Sequence, residues 1–198
     1  FSRVSLERTQ ELAMEYAGRY RREYFAGLGE RTSRQDYLLE RNLQELRAVV
    51  RELWEELAQS RFQPAGFEVQ FGPGGAMPPV EIPGGAMPAQ LRGFVDRLDL
   101  YERDGQTYVR VVDYKTGRKD FDYCDVLNGL GLQMLLYLFA LEDHGRAYLG
   151  VSAEAAGVLY FPARAAVLPV EGPVESQEAR LLRQKEARRK GLLLLDED

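Results

Sequence analysis

Apolar residues recur at helical spacing over the first sixty positions and at strand spacing after them. Residues 5–28 read as a helix, with Ser5 as N-cap, Glu7 in the first turn, and Gly27 and Gly29 ending it. Thr32-x-x-Gln35 has the form of a capping box. It opens a second helix in which Leu39, Leu43, Leu46, Val50, Leu53 and Leu57 keep helical spacing to about residue 60, with Trp54 as a core anchor. Pro64 and Gly66 break the pattern, and Phe67-Glu-Val-Gln-Phe71 alternates as a strand. Gly74-Gly-Ala-Met-Pro78 then recurs as Gly84-Gly-Ala-Met-Pro88, which predicts two loops around a short strand, Val80 to Ile82. Residues 125–143 are apolar nearly all round and predict a buried helix. Beyond it, Gly157 to Phe161 and Val167 to Val170 read as strands, and 174–190 as a charged helix stopped by Gly191. This order predicts an α/β fold with a central mixed sheet flanked by helices. We expect one domain: 1–61 a helical scaffold, 62–170 the sheet core, and 171–198 a C-terminal helix.

The middle of the chain carries the sharpest pattern. Gly93-Phe-Val-Asp-Arg-Leu-Asp99 and Val111-Val-Asp-Tyr-Lys-Thr-Gly117 flank Asp104-Gly105, a strong signal for a two-residue hairpin loop. That loop sets Arg103 against Gln106, Tyr101 against Tyr108, Leu98 against Val111, and Asp96 against Asp113. Directly opposed residues have Cβ atoms roughly 5 Å apart, so the last pair repels unless a positive charge sits between them. Lys115 lies two positions beyond Asp113 and shares its face. Leu98, Leu100, Val109 and Val111 form an apolar strip leading to this trio. Asp99 points the other way, paired with Arg110, and reads as a surface ion pair.

Two carboxylates and a lysine at the end of an apolar strip suit a hard divalent cation and a scissile phosphate. Mg²⁺ takes oxygen ligands, commonly one or two carboxylates, and leaves its other positions to water and phosphate. Lys115 would orient or help deprotonate a water, or stabilise a pentavalent transition state. The alternative is a solvated strand edge with no chemistry. Gln133 and Tyr137 share a helix face one turn apart. Gln133 is expected to be buried, and a buried amide must find partners.

Gly93-x-x-Asp96, Asp113-Tyr114-Lys115 and Gln133-x-x-x-Tyr137, in this order and spacing, resemble the signatures of the PD-(D/E)xK nucleases in their RecB-like branch. The run through Gly131-Leu-Gln-Met-Leu-Leu-Tyr137 is most similar to the C-terminal nuclease domain of AddB-type subunits of bacterial AddAB helicase–nucleases. The resemblance implies a restriction-endonuclease-like core and Mg²⁺- or Mn²⁺-dependent hydrolysis of DNA during the processing of double-strand ends. It makes Asp96 and Asp113 metal ligands and Lys115 catalytic, and places Gln133 and Tyr137 at the border of the active site. Glu68 becomes a candidate third ligand, since related nucleases often carry an acidic residue on the preceding strand. Thr116-Gly117-Arg118-Lys119 is a basic turn beside this site, so Thr116, Arg118 and Lys119 are candidate DNA contacts; turn chemistry alone also explains it. The implied partners are DNA and an AddA-type subunit.

Composition changes this picture in three places. The net charge of −5 argues against a broad DNA-binding surface and favours a rival reading, a catalytically silent module of the same fold that guides DNA or docks a subunit. The arginines Arg19, Arg21 and Arg22, and the basic run from Arg180 to Lys190, read as solvated helix faces or local basic patches. His144, the single histidine, falls after the motifs, whereas RecB-like nucleases commonly place a histidine ligand before them. Cys124 is the single cysteine, so this stretch alone holds no disulfide and no four-cysteine iron–sulfur cluster. One cysteine and no membrane-length apolar run fit a cytoplasmic protein. The apolar quartet Leu192 to Leu195 needs a partner, and we expect the sequence to be part of a larger protein.

Overall fold

The structure, a computed structural model, describes residues 4–25, 32–82, 89–117, 121–164 and 189–194. The chain divides into two compact units, Phe1–Ser60 with Pro162–Arg188, and Arg61–Phe161 with Arg189–Asp198.

The described part of the first unit is a pair of helices, α1 (Leu6–Phe25) and α2 (Ser33–Gln59). Ser5 caps α1 by accepting the Arg8 N–H at 3.2 Å. Thr32 and Gln35 close the expected capping box on α2. Side chains of each helix bond the backbone of the other segment: Trp54 Nε1 donates to the Val4 carbonyl at 2.9 Å, and Gln10 Nε2 to that of Arg47 at 3.2 Å.

The second unit is built on a five-stranded sheet. Its strands are β1 (Gln63–Phe71), β4 (Gly93–Arg103), β5 (Gln106–Lys115), β6 (Glu154–Pro162) and β7 (Lys190–Leu193), hydrogen-bonded in the order β1-β4-β5-β6-β7. A separate ribbon pairs β2 (Val80–Ile82) with β3 (Ala89–Leu91). The β1–β4, β4–β5 and β6–β7 pairs are antiparallel. Between β5 and β6 the chain crosses over through α3 (Tyr123–Leu127), α4 (Gln133–His144) and α5 (Arg146–Leu149).

The hairpin register agrees with the sequence reading over seven pairs, from Arg97–Val112 to Arg103–Gln106, around a two-residue loop at Asp104-Gly105. One sheet face carries Leu98, Val109, Val111, Val158 and Tyr160, and packs on Met134, Leu135, Tyr137, Leu138 and Leu141 of α4. Burial of this apolar area is the main force joining helix to sheet.

Three expectations need correction. The helix expected over 125–143 is two helices, because Gly129 and Gly131 adopt φ of 78° and 68° and end α3 before α4 begins. Lys190 is not a helix end: it begins β7, which pairs with β6 and packs Leu192 against the core, while the Leu193 side chain stays exposed. Asp99 is not on the surface. It is fully buried with Arg97, and Arg110 is nearly so. Arg97 grips Asp99 with two nitrogens, Nε at 2.9 Å and Nη2 at 3.0 Å, while Arg110 Nε donates at 2.8 Å from the neighbouring strand. The alternation correctly sent Asp99 away from α4, but this face is covered as well. The second GGAMP loop, the strand at Val167–Val170 and the helix over 174–188 lie outside the described residues.

Candidate active site

Asp113 and Lys115 stand at the end of β5, two positions apart on the face that carries Val109 and Val111. Lys115 Nζ lies against Asp113 Oδ2. The Asp113 side chain is 16% exposed and that of Lys115 is 42% exposed, so the carboxylate is shielded while the ammonium reaches solvent.

Asp96 joins them by a different route from the one expected. The β4–β5 ladder ends at Arg97–Val112, so Asp96 and Asp113 do not form the next pair. Instead Asp96 Oδ2 accepts the Tyr114 N–H at 2.7 Å, which ties it to the backbone between Asp113 and Lys115. The cause is a change of phase in β4. Leu98 faces α4, and period-two alternation would turn Val95 away, yet Val95 belongs to the same buried cluster. On β1, Glu68 sits at the same level, between the Phe67–Arg97 and Val69–Val95 pairs, with a left-handed φ of 48°. A side-chain-bearing residue in that region costs about 1–3 kcal/mol, and such strain gathers at functional sites. Glu68 is exposed and lies across from Asp96.

Tyr137 is fully buried, stacked on Phe71 at 4.6 Å between ring centroids. Gln133 is exposed, contrary to expectation, because it opens α4; its Nε2 donates to the Tyr137 hydroxyl at 3.1 Å. A Cβ on Gly93 would strike that same hydroxyl, which explains a glycine at the head of β4. Gly93→Ala is therefore expected to destabilise the protein by about 1–3 kcal/mol. Adding Tyr137→Phe should recover part of this loss in thermal melts; absence of recovery would place the clash elsewhere.

Tyr160 was not anticipated. It is 6% exposed on β6, next to β5. Burial pushes its phenol above the ordinary range, the charge of Asp113 pushes further, and Lys115 partly offsets both. A neutral hydroxyl thus stands within the field of the Asp113–Lys115 pair. Its position follows from β6 lying beside β5, which no local pattern announces.

Thr116 is exposed, while Arg118 and Lys119 lie outside the described residues. His144 ends α4 as its basic last-turn residue. Among the described residues, no group of three or more His, Cys, Asp or Glu side chains gathers as a metal site. Asp96 and Asp113 alone offer a two-carboxylate oxygen set, which fits a cation that keeps water and phosphate in the rest of its shell.

The profile of the PD-(D/E)XK nuclease superfamily matches residues 1–195. The chain belongs to this superfamily. The expected restriction-endonuclease-like core, an α/β fold on a central mixed sheet, is consistent with that membership. Nucleases of this superfamily use divalent metal ions. Three relatives are each named as the B subunit of an ATP-dependent helicase/deoxyribonuclease. That of Moorella thermoacetica is 39% identical over 166 residues, 83% of this chain and 14% of the relative. That of Symbiobacterium thermophilum is 42% identical over 161 residues, 79% and 14%. That of Listeria monocytogenes serotype 4a is 35% identical over 166 residues, 83% and 14%. The chain spans 14% of the length of these curated relatives. The likeness to AddB-type subunits read from the motifs agrees with these names. Among the described residues, no helix is long and apolar enough to cross a membrane.

Proposed function

We propose that this chain is the nuclease part of a helicase–nuclease subunit and hydrolyses DNA phosphodiester bonds with Mg²⁺ or Mn²⁺. The observation that carries this reading is the convergence of Lys115, Asp113 and the backbone-tethered Asp96 at one strand end. In this reading Asp96 and Asp113 hold the ion, with Glu68 the nearest further carboxylate along the sheet. Bound there, a divalent ion would acidify a water and neutralise charge on the phosphate. Asp113 keeps the Lys115 ammonium aimed at the site. Lys115 orients the attacking water and offers positive charge to the pentavalent transition state. Gln133 and Tyr137 border the site and brace the head of β4 through Gly93. Thr116, with Arg118 and Lys119, contacts phosphates of the strand being cut. The protein acts in the cytoplasm on broken DNA ends, beside an AddA-type subunit with its own nuclease.

The test of the metal site needs no cleavage. Mg²⁺ or Mn²⁺ should raise the melting temperature, because an ion that binds only the folded state stabilises it by mass action. Asp113→Ala should abolish that rise. An unchanged rise in this variant would move the ion elsewhere and leave the silent, DNA-guiding module as the better account.

A further inference from the structure

The sheet face opposite α4 carries a concave feature. A cavity of 600 Å³ opens beside the hairpin loop, with Phe62, Tyr101, Tyr108, Arg61, Arg103 and Arg110 in its lining. Tyr101 and Tyr108 are directly opposed in the β4–β5 ladder, on the face of Asp99 and Arg110 and away from α4. On β5, Asp113 is five positions beyond Tyr108, roughly 17 Å at about 3.3 Å per residue, and three beyond Arg110, roughly 10 Å. The two features thus lie on opposite faces of the hairpin, with the ring pair toward its loop.

The rings form a ladder. Phe62 and Tyr101 centroids are 5.4 Å apart, and those of Tyr101 and Tyr108 are 6.2 Å apart. Three guanidiniums hold its margins. Arg110, fixed by Asp99, lies 4.6 Å over the Phe62 ring, and Arg61 donates to the Tyr101 hydroxyl at 3.2 Å. Arg103, 30% exposed, meets Asp104, whose side chain is 90% exposed, in a surface ion pair of little net strength that a phosphate can compete with. Among the described residues, Asp104 is the single carboxylate-bearing one in the lining, against Arg61, Arg103 and an Arg110 already paired with the buried Asp99. Flat rings between cations match the alternation of base and phosphate along a single strand, which is the chemistry of sequence-tolerant stacking platforms.

We infer that this cleft binds single-stranded nucleic acid, with a base stacked on the Tyr101–Tyr108 pair and its phosphates held by Arg61 and Arg103. The inference goes beyond the nuclease reading and does not depend on it, since binding here requires neither metal nor cleavage. It gives the protein a second hold on a strand, on the opposite face of the hairpin from the bond being cut.

The test uses the full-length protein carrying this chain and a thymidine-rich DNA strand of about 16 nucleotides, photoreactive through halogenated uracils, without divalent ions. Irradiation followed by peptide mapping should place crosslinks on Phe62, Tyr101 or Tyr108. In Tyr101→Leu, crosslinking at the remaining rings should fall about tenfold, the scale of one lost base–aromatic stack. Tyr101→Phe keeps the ring but releases Arg61 from the hydroxyl, and should retain most of the wild-type crosslinking. A matching RNA strand, run in parallel, tells which nucleic acid the cleft prefers. Crosslinks confined to other segments, or no crosslink at all, would overturn the inference. The wild-type map decides even if a variant fails to fold. A protein that crosslinks here but cuts nothing would keep this inference and lose the nuclease reading.

Discussion

Lys115→Ala is expected to lower the rate of DNA cleavage by about 10²–10³-fold, the usual cost of losing one preorganised charge aimed at a transition state. DNA affinity should stay nearly unchanged, because the contact strengthens only as charge develops on the phosphate. The side chain is 42% exposed, so its removal leaves no buried cavity and fold and chemistry can be separated. Single-turnover cleavage and equilibrium binding by the full-length protein carrying this chain would check both halves. Equal losses of rate and affinity would make Lys115 a simple phosphate contact.

The second large effect concerns the opposite sheet face. Asp99→Ala should destabilise the domain by about 3–5 kcal/mol, since removing one partner of a buried ion pair leaves the others desolvated and uncompensated. Here Arg97, fully buried, and Arg110 would both lose their carboxylate, and Arg97 would retain its bond to the Tyr114 hydroxyl at 2.9 Å. Amide exchange of β4 and β5 should accelerate by roughly 10²–10⁴-fold, which can be read within the larger protein. Exchange at wild-type rates would show that the triad adds little to stability.

How far the sequence revealed this molecule depends on which forces were local. The hairpin was legible because an Asp-Gly turn and period-two alternation fix a register without outside help. The capping box was legible for the same reason. From that register came Asp113, Lys115 and the separation of Asp99 from both. The phase change at Asp96 was not legible, because it arises where Val95 and Val69 enter the same core and Glu68 takes a left-handed turn. Burial of Asp99 was missed because alternation gives a side chain's face and says nothing of what covers it. Tyr160 and the Leu192–Leu193 edge were hidden because strand order is a tertiary property. The break at Gly129 and Gly131 was within reach: two glycines inside an apolar run are a helix stop, and their signal was overridden by hydrophobicity.

The central claim is that the carboxylates at the end of this hairpin cut DNA. It is tested most directly by single-turnover cleavage of a duplex with its two strands labelled separately, in saturating Mg²⁺ and again in Mn²⁺. The full-length protein carrying this chain with Asp113→Ala should fail to cut one strand with either ion; the other strand is still cut if the proposed partner subunit has a nuclease of its own. Wild-type cleavage of both strands by that variant would contradict the account.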